Sequence, residues 1–510
     1  MSFLGLPILA WLLLLPLIGG LVLLLLPAAR TAWLRWTAFG FSLLPLLVSI
    51  VLWANYQAGA QELFQFEMNL PWFEAVHSSL HLGIDGISLS MVLLTTLLTP
   101  LSILTSFNIK VKVKAFMILF LLLETGILGV FVSLDLLLFF LFWEIGLVPM
   151  YFLINLWGGE KRNYASLKFI LFTMGGSLGL LLAIQMIGVL SGTFDFVSIL
   201  QTWPALNEGV IFGIPNGTVK AITFWAFVIA FAVKVPVWPF HTWLPDAHTE
   251  APTGGSMILA GVLLKLGAYG FIRFVLPLFP AESSHFAFWL ALMAVAAIIF
   301  GALSAAGQTD FKRLVAYSSI NHMGFVVLAI AAAAWVGGSA GEGLRESAVI
   351  AVNGAVLQMF NHGLSAAGMF FLVGVLYDRV HTRDLEKYGG LFTILPVFGG
   401  ILLFVSMASL GLPGLNGFVS EFMIVRGAWP VFTALTALSM IGLFFTGVYV
   451  LKALKLVLQG PLNETWRGKF SDITLREILI IAPLMILILS IGVWPSWILN
   501  LINQTVMRWF

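Results

Sequence analysis

The stretch FAVKVPVWPFHTWLPDAHTEAPTGG, Phe231 to Gly255, sets an ionisable side chain, Lys234, inside an apolar run and follows it with Pro236, Pro239, two histidines and two acids. Proline has no N–H to give and its ring clashes with the preceding turn, so a helix carrying Lys234 has to break here. In water such a break costs little. In lipid the freed backbone groups need partners or water, and the surrounding chain decides which solvent applies.

Of the 510 residues, 60% are hydrophobic and only 9% charged, against about 25% charged in soluble domains. Mean hydropathy is +1.03. Apolar runs reach about 20 residues, enough for a helix to cross ~30 Å of hydrocarbon, and they lack the alternation of a membrane β-barrel. The chain therefore reads as an all-α polytopic membrane protein. The first run, Leu4 to Leu26, follows no basic segment and is longer than a signal-peptide core, so it reads as a retained span. With no cysteine, disulfides, a thiolate-held iron–sulfur cluster and a cysteine zinc site are excluded. No GxGxxG or P-loop lies in a strand–helix setting. No cofactor or metal is expected in this chain.

Apolar runs separated by charges, Gly and Pro predict fourteen spans: 4–26, 33–53, 84–106, 114–133, 136–157, 167–190, 222–239, 253–278, 287–306, 314–336, 349–377, 393–425, 431–458 and 478–501. The odd-numbered connections and their flanks collect 18 Lys and Arg, among them Lys110, Lys112, Lys161, Arg313, Arg383 and Lys469. The even-numbered connections and the tails collect 5: Lys220, Arg273, Arg345, Arg426 and Arg508. So uneven a split supports the span count and sets the basic connections in the cytoplasm, with both termini on the outer side. The connection holding His241, Asp246, His248 and Glu250 has no Lys or Arg, so another constraint is expected to fix it as a polar turn.

Glu144, Lys234, Lys265 and Glu421 lie within spans, joined by His322 and His362. A charge at the bilayer centre costs at least ~2.5 to 3.5 kcal/mol on insertion scales, so such residues tend to be paired and functional. At a rise of 1.5 Å per residue, Glu144 and His322 fall about 12 Å into their spans, and Lys234, Lys265 and His362 about 17 to 18 Å. Five ionisable groups at one level describe a row in the membrane plane, which suits lateral proton transfer. Each also has a plainer reading, as a buried acid bonded to a hydroxyl, an ion-pair partner, or an imidazole bonded across a helix interface. Glu124, Asp135 and Asp85 lie within or at the ends of spans, where helix-end or local bonding roles compete.

A second break, GLPGLNGFVSEF at 411–422, interrupts span 12 before Glu421. Paired broken helices point to inverted repeats with an ion path between them. Spans 4–8 and 9–13 fit as five-helix units, and an odd number inverts the second unit. The expected divisions are 1–113 for spans 1–3, 114–278 and 287–458 for the two repeats, and 459–510 for the C-terminal helix.

Five stretches carry a resemblance: FFLFWEIGLVPMYFLI (139–154), FAVKVPVWPFHTWLPDAHTEAPT (231–253), QTDFKRLVAYSSINHMGF (308–325), NHGLSAAGMFF (361–371) and LPGLNGFVSEFMI (412–424). Together they resemble the antiporter-like subunits of bacterial respiratory complex I, the proton-pumping NADH:quinone oxidoreductase, and among these the M type. The related L and N types usually carry lysine at the position of Glu421, and L has a long lateral helix, whereas this chain ends soon after span 14.

The resemblance implies Glu144 and Lys234 as the acid and lysine of a first half-channel and Lys265 as the central link. Glu421 would serve the second half-channel, with His322 and His362 on the axis between. It implies a non-redox subunit of the oxidoreductase, with FMN, iron–sulfur clusters and quinone held by other subunits. L-type and N-type subunits and membrane lipid would be its partners, in the bacterial plasma membrane. Burial penalises both charged forms of an acid–lysine pair while proximity stabilises both, so moving or screening Glu144 would help Lys234 pass its proton toward Lys265.

Rival readings are a subunit of a multisubunit Na⁺/H⁺ antiporter, or of a membrane-bound hydrogenase or photosynthetic oxidoreductase, which share these motifs. A solute permease would gather polar groups around one pocket, unlike ionisable residues spread over spans 5, 7, 8, 10, 11 and 12. A structural scaffold would need none of them. Basic residues scattered among membrane-flanking loops give nucleic-acid binding no support.

Overall fold

The computed structural model describes residues 2–3, 5–206, 209–211, 213–339, 342–468 and 471–509; Lys469, counted above among the basic residues, lies outside them. Among the described residues, thirteen helices are long and apolar enough to cross a membrane, and each overlaps a predicted span. The predicted span 12 is two shorter helices, Pro396–Leu410 and Asn416–Ala428. Gly411, at φ +85°, ends the first half, a backbone conformation that glycine adopts without steric cost. Taken as one crossing, this pair is the fourteenth.

Spans 8 and 11, Thr253–Leu278 and Arg345–Val380, are wholly buried along their most apolar windows, whereas the span 2 window is only 28% buried. A polar side chain on spans 8 or 11 is thus shielded from lipid by this chain's own helices. Their close approach rests on glycine. A side chain at Gly363 would fall 2.8 Å from the Gly261 carbonyl oxygen, so small residues at this crossing let the two backbones meet.

Span 7 departs from its predicted limits. Its helix, Asn216–Lys234, stops at the lysine, and a second helix, Trp243–Glu250, follows the two prolines. Pro245 is tolerated there because the first helical turn has no intrahelical acceptor waiting for its missing N–H. The expected polar turn at 241–250 is therefore mostly a half-helix, and Trp243, Leu244, Ala247, His248 and Glu250 on it are buried. The break is repaired locally: Trp243 Nε1 donates to the Val233 carbonyl at 2.9 Å, and the Val237 N–H donates to the Ala232 carbonyl at 2.9 Å.

Span 14 also ends early, at Val493 rather than 501, and an amphipathic helix, Ser496–Trp509, follows Pro495. Between spans 2 and 3 an antiparallel hairpin pairs Gln65–Phe73 with Ser78–Ile84. Its open edges are permitted outside the hydrocarbon layer.

Candidate functional site

Lys265 sits on a short α-helical segment, Leu264–Gly270, between two π-helical turns, Leu259–Leu263 and Phe271–Val275. Such wide turns often mark functional sites. The wholly buried Lys265 amino group donates to the Ala260 carbonyl of the first π turn and lies 2.8 Å from Nδ1 of His362 on span 11. When Lys265 is an ammonium it has only donors, and in that state Nδ1 of His362 accepts and its proton sits on Nε2.

The His362 ring lies 5.7 Å from the ring of His322 on span 10, centroid to centroid. Nδ1 of His322 is 2.7 Å from Oε1 of Glu421, and the same oxygen accepts from Gln358 Nε2 at 3.1 Å. Tyr449 OH approaches Nε2 of His322 at 3.4 Å. Lys265, His362, His322 and Glu421 thus form one buried line across spans 8, 11, 10 and 12, whose members come from residues up to 156 positions apart in the numbering. Every step is a direct hydrogen bond except the one between the two imidazoles.

Span 11 also holds the second break. Asn361 and Asn416 exchange side-chain bonds to each other's carbonyls, at 2.7 and 3.2 Å. Ser420 Oγ bonds Gln358 Oε1 at 2.5 Å. Glu421 is thereby fixed five residues into the second half-helix, while Lys234 ends the first half-helix of its own broken span. The two charges fall on opposite sides of their respective breaks in chain order.

Glu144 and Lys234 stand apart from the line. Buried Lys234 Nζ has no hydrogen-bond partner and lies 4.7 Å from the centroid of the Trp143 ring. Glu144 is half-buried with Oε1 unpartnered, and its charge acts on Lys234 without a direct ion pair. The indole is held by its own donation from Nε1 to Ser177 Oγ at 3.0 Å.

Sequence reasoning gave no place in the row to three further buried groups, and the local bonding role weighed for Glu124 is not what the structure shows. His248, on the half-helix, is fully buried, has neither ring nitrogen bonded, and stacks on Phe370 of span 11 at 4.4 Å and 9°. It feels the charges of Lys312 and Lys265. Lys312 is buried and donates to the Ala251 carbonyl at 2.5 Å. Glu124 is buried on span 4 with both carboxyl oxygens unpartnered. The available signal for His248 was the proline pair itself, which leaves room for a half-helix after the break. A cleft of about 810 Å³ among the basic connections reaches Glu250 and Lys312 below this half-helix.

The two span-end acids have helix-end roles. Asp85 caps span 3 through Ser88, and Asp135 caps the helix at Leu136–Ile145 while accepting from Ser78 and Ser79. Asp85 has a further partner, and here the loop assignment of Arg273 is corrected. Arg273 lies inside span 8, buried, with Nη2 2.5 Å from Asp85 Oδ2. Near the end of an apolar run, hydropathy alone does not separate a flanking arginine from a buried one. Among the described residues no group of three or more His, Cys, Asp or Glu is placed to hold a metal.

The family model described as NADH:quinone oxidoreductase/Mrp antiporter, TM, matches residues 133–447, the segment that holds all six candidate residues. NADH-quinone oxidoreductase subunit M of Rhodobacter capsulatus is 40% identical over 478 residues, covering 92% of this chain and 89% of that one. The chain belongs to the subunit M family. Among solved structures, respiratory complex I from Thermus thermophilus contains a chain of TM-score 0.85 at 28% identity, with 98% of this chain and 99% of that one covered. A chain of the Mrp complex from Dietzia has a TM-score of 0.80 at 19% identity, with 98% and 96% covered. That second likeness shows a shared fold. The all-α polytopic architecture and the family expected from the five quoted stretches both stand, and the chain is a multi-pass membrane protein.

Proposed function

We propose that this chain is a proton-translocating membrane-arm subunit of a respiratory NADH:quinone oxidoreductase, itself without a redox centre, in the bacterial plasma membrane with its basic connections in the cytoplasm. It works beside L-type and N-type subunits, and the FMN, iron–sulfur clusters and quinone belong to other subunits. The reading rests on one observation: the unbroken polar contacts on either side of the His362–His322 step, buried where a lone charge would be costly.

In this reading Lys265 gives a proton to Nδ1 of His362, and the proton on Nε2 leaves toward His322 through one bridging water. Nδ1 of His322 then delivers its proton to Glu421. Each imidazole takes a proton on one nitrogen and releases one from the other, which is the chemistry that makes histidine a shuttle. Glu144 and Lys234 load the line from the first repeat (114–278), and Glu421 discharges it in the second (287–458). Span 7 keeps Lys234 unbonded beside Trp143, where a small displacement of Glu144 changes the cost of its charge without breaking a fixed pair.

The test is NADH-driven proton uptake by inverted membrane vesicles. Lys265→Ala should remove most of it in an assembled complex. Lys265→Arg should be nearly as poor, because guanidinium stays protonated and passes nothing on. Full activity with arginine would make Lys265 a fixed electrostatic element and end the relay reading. Persistence of transport in a sodium-free medium separates proton translocation from the Na⁺/H⁺ antiporter alternative.

A further inference from the structure

Lys265, Tyr269 and Arg273 follow one another at four-residue spacing along span 8, which keeps them near one face of a helix. All three are buried. Arg273 Nε donates to Tyr269 OH at 3.1 Å, Tyr269 OH donates to the Phe131 carbonyl at 3.0 Å, and Arg273 Nη2 bonds Asp85 Oδ2. Rings crowd the guanidinium: its Cζ lies 5.0 Å from the centroid of Phe64, 5.3 Å from Tyr269 and 5.6 Å from Trp509. These rings come from the segment before the hairpin, from span 8 itself and from the C-terminal amphipathic helix. Asp85 is held besides by the backbone N–H of Ser88 at 2.9 Å.

We propose that the Arg273–Asp85 pair, collared by Phe64, Tyr269 and Trp509, seals the Lys265 face of span 8 against proton leak toward the side opposite the basic connections. Proton conduction along a hydrogen-bonded line requires each member to accept a proton and release one. Guanidinium has five donors, no acceptor, and does not deprotonate in proteins. A fixed cation in a dry constriction also repels an arriving proton, as arginine does in water-selective pores. The aromatic collar leaves little room for the water that could bypass it. The line from Tyr269 to Asp85 is therefore continuous in hydrogen bonds and closed to protons. At the other end of span 8 the polar cleft is lined by Pro252 and Thr253 and reaches Lys312 and Glu250, so in this proposal the span 8 side of Lys265 is closed at the Arg273 end alone.

The seal rests on the relay reading of Lys265, and the two are tested separately. Purified complex in liposomes, given an acid pulse without NADH, reports passive proton entry by a trapped pH dye. Arg273→Gln should raise the entry rate several-fold, and adding Lys265→Ala should return it to the unaltered level. Arg273→Lys should leak less than Arg273→Gln because it keeps a cation. Unaltered tightness in assembled Arg273→Gln overturns the seal, as does a leak that Lys265→Ala leaves untouched. Tyr269→Phe, which spares the ion pair, should stay tight and keep pumping. Lost pumping without leak in that variant would make the Tyr269–Asp85 line an exit route and overturn the seal, even if Arg273→Gln failed to assemble. Normal NADH-driven pumping by Lys265→Ala alone would instead sink the relay reading.

Discussion

At the scale of single residues, the six candidates were legible because a charge or imidazole within an apolar run is costly and stands out. Depth came from counting residues, and it set Glu144, Lys234, Lys265, His322 and His362 at one level; of these the structure brings Lys265, His362 and His322 together. Rotation about the helix axis did not come with it, which is why the approach of Lys234 to the Trp143 ring could not be seen. Arg273 was misplaced for a related reason: its partner Asp85 is 188 positions away, and nothing local marks an arginine as paired. Glu144 carries the clearest residue-level expectation. Glu144→Gln keeps the shape and removes the charge, so proton uptake and NADH oxidation should both fall to a small fraction while the complex assembles. Near-normal pumping in such a complex would take Glu144 out of the relay.

At the scale of elements, hydropathy gave the thirteen helices that, among the described residues, are long and apolar enough to cross, because each run had to match the hydrocarbon thickness. It missed a helix too short to register, Trp243–Glu250, whereas the Gly and Pro of 411–414 marked the break between the two halves of span 12. The hairpin before span 3 was also missed, since a short polar connection offers no periodicity long enough to read. The break in span 7 leaves Lys234 at a helix end with its amino group free of any hydrogen bond. Replacing both Pro236 and Pro239 by alanine removes the two residues that forbid a continuous helix. That variant should slow proton uptake and reduce hydration around Lys234, measured together by vesicle acidification and by solvent-exchange spectroscopy. No change in either would leave the break a packing accommodation only.

At the scale of the whole molecule, a second ionisable cluster ties the hairpin to the connection after span 6. His81 Nδ1 is 2.6 Å from Asp195 Oδ2, with Glu67 3.6 Å from Nε2. Burial opposes a proton on His81, but the Asp195 and Glu67 carboxylates outweigh it and raise its pKa above the ordinary 6.5. Burial likewise works to raise Asp195, yet bonds from His81 and Ser198 bring it below the ordinary 3.8. The pair therefore stabilises the hairpin fully between about pH 4 and about pH 6.5, and loses that contribution as pH rises through the raised His81 value. It also fades at the acid end, as pH falls through the lowered Asp195 value. Amide protection of residues 78–84, corrected for intrinsic exchange, should increase when pH falls from about 8 to about 6. His81→Gln should flatten that response, and an equal response in the variant would remove His81 as its source.

The half-helix Trp243–Glu250 meets the basic face of the molecule under several restraints. Lys168 and Arg313 both grip Asp246, at 2.7 and 3.3 Å, Lys312 holds the Ala251 carbonyl and Arg383 the Thr249 carbonyl. The Gly159 and Lys161 N–H groups hold the Glu250 carbonyl and carboxylate, each at 2.9 Å. These anchors come from spans 6 and 10 and from the connections after spans 5 and 11, so the half-helix is the keystone where those parts lock. In mechanical terms the basic face is a pivot with few degrees of freedom. Any rocking between the two ends of the chain has to be expressed as splaying at the opposite face, with the buried ionisable line on the lever arm between them.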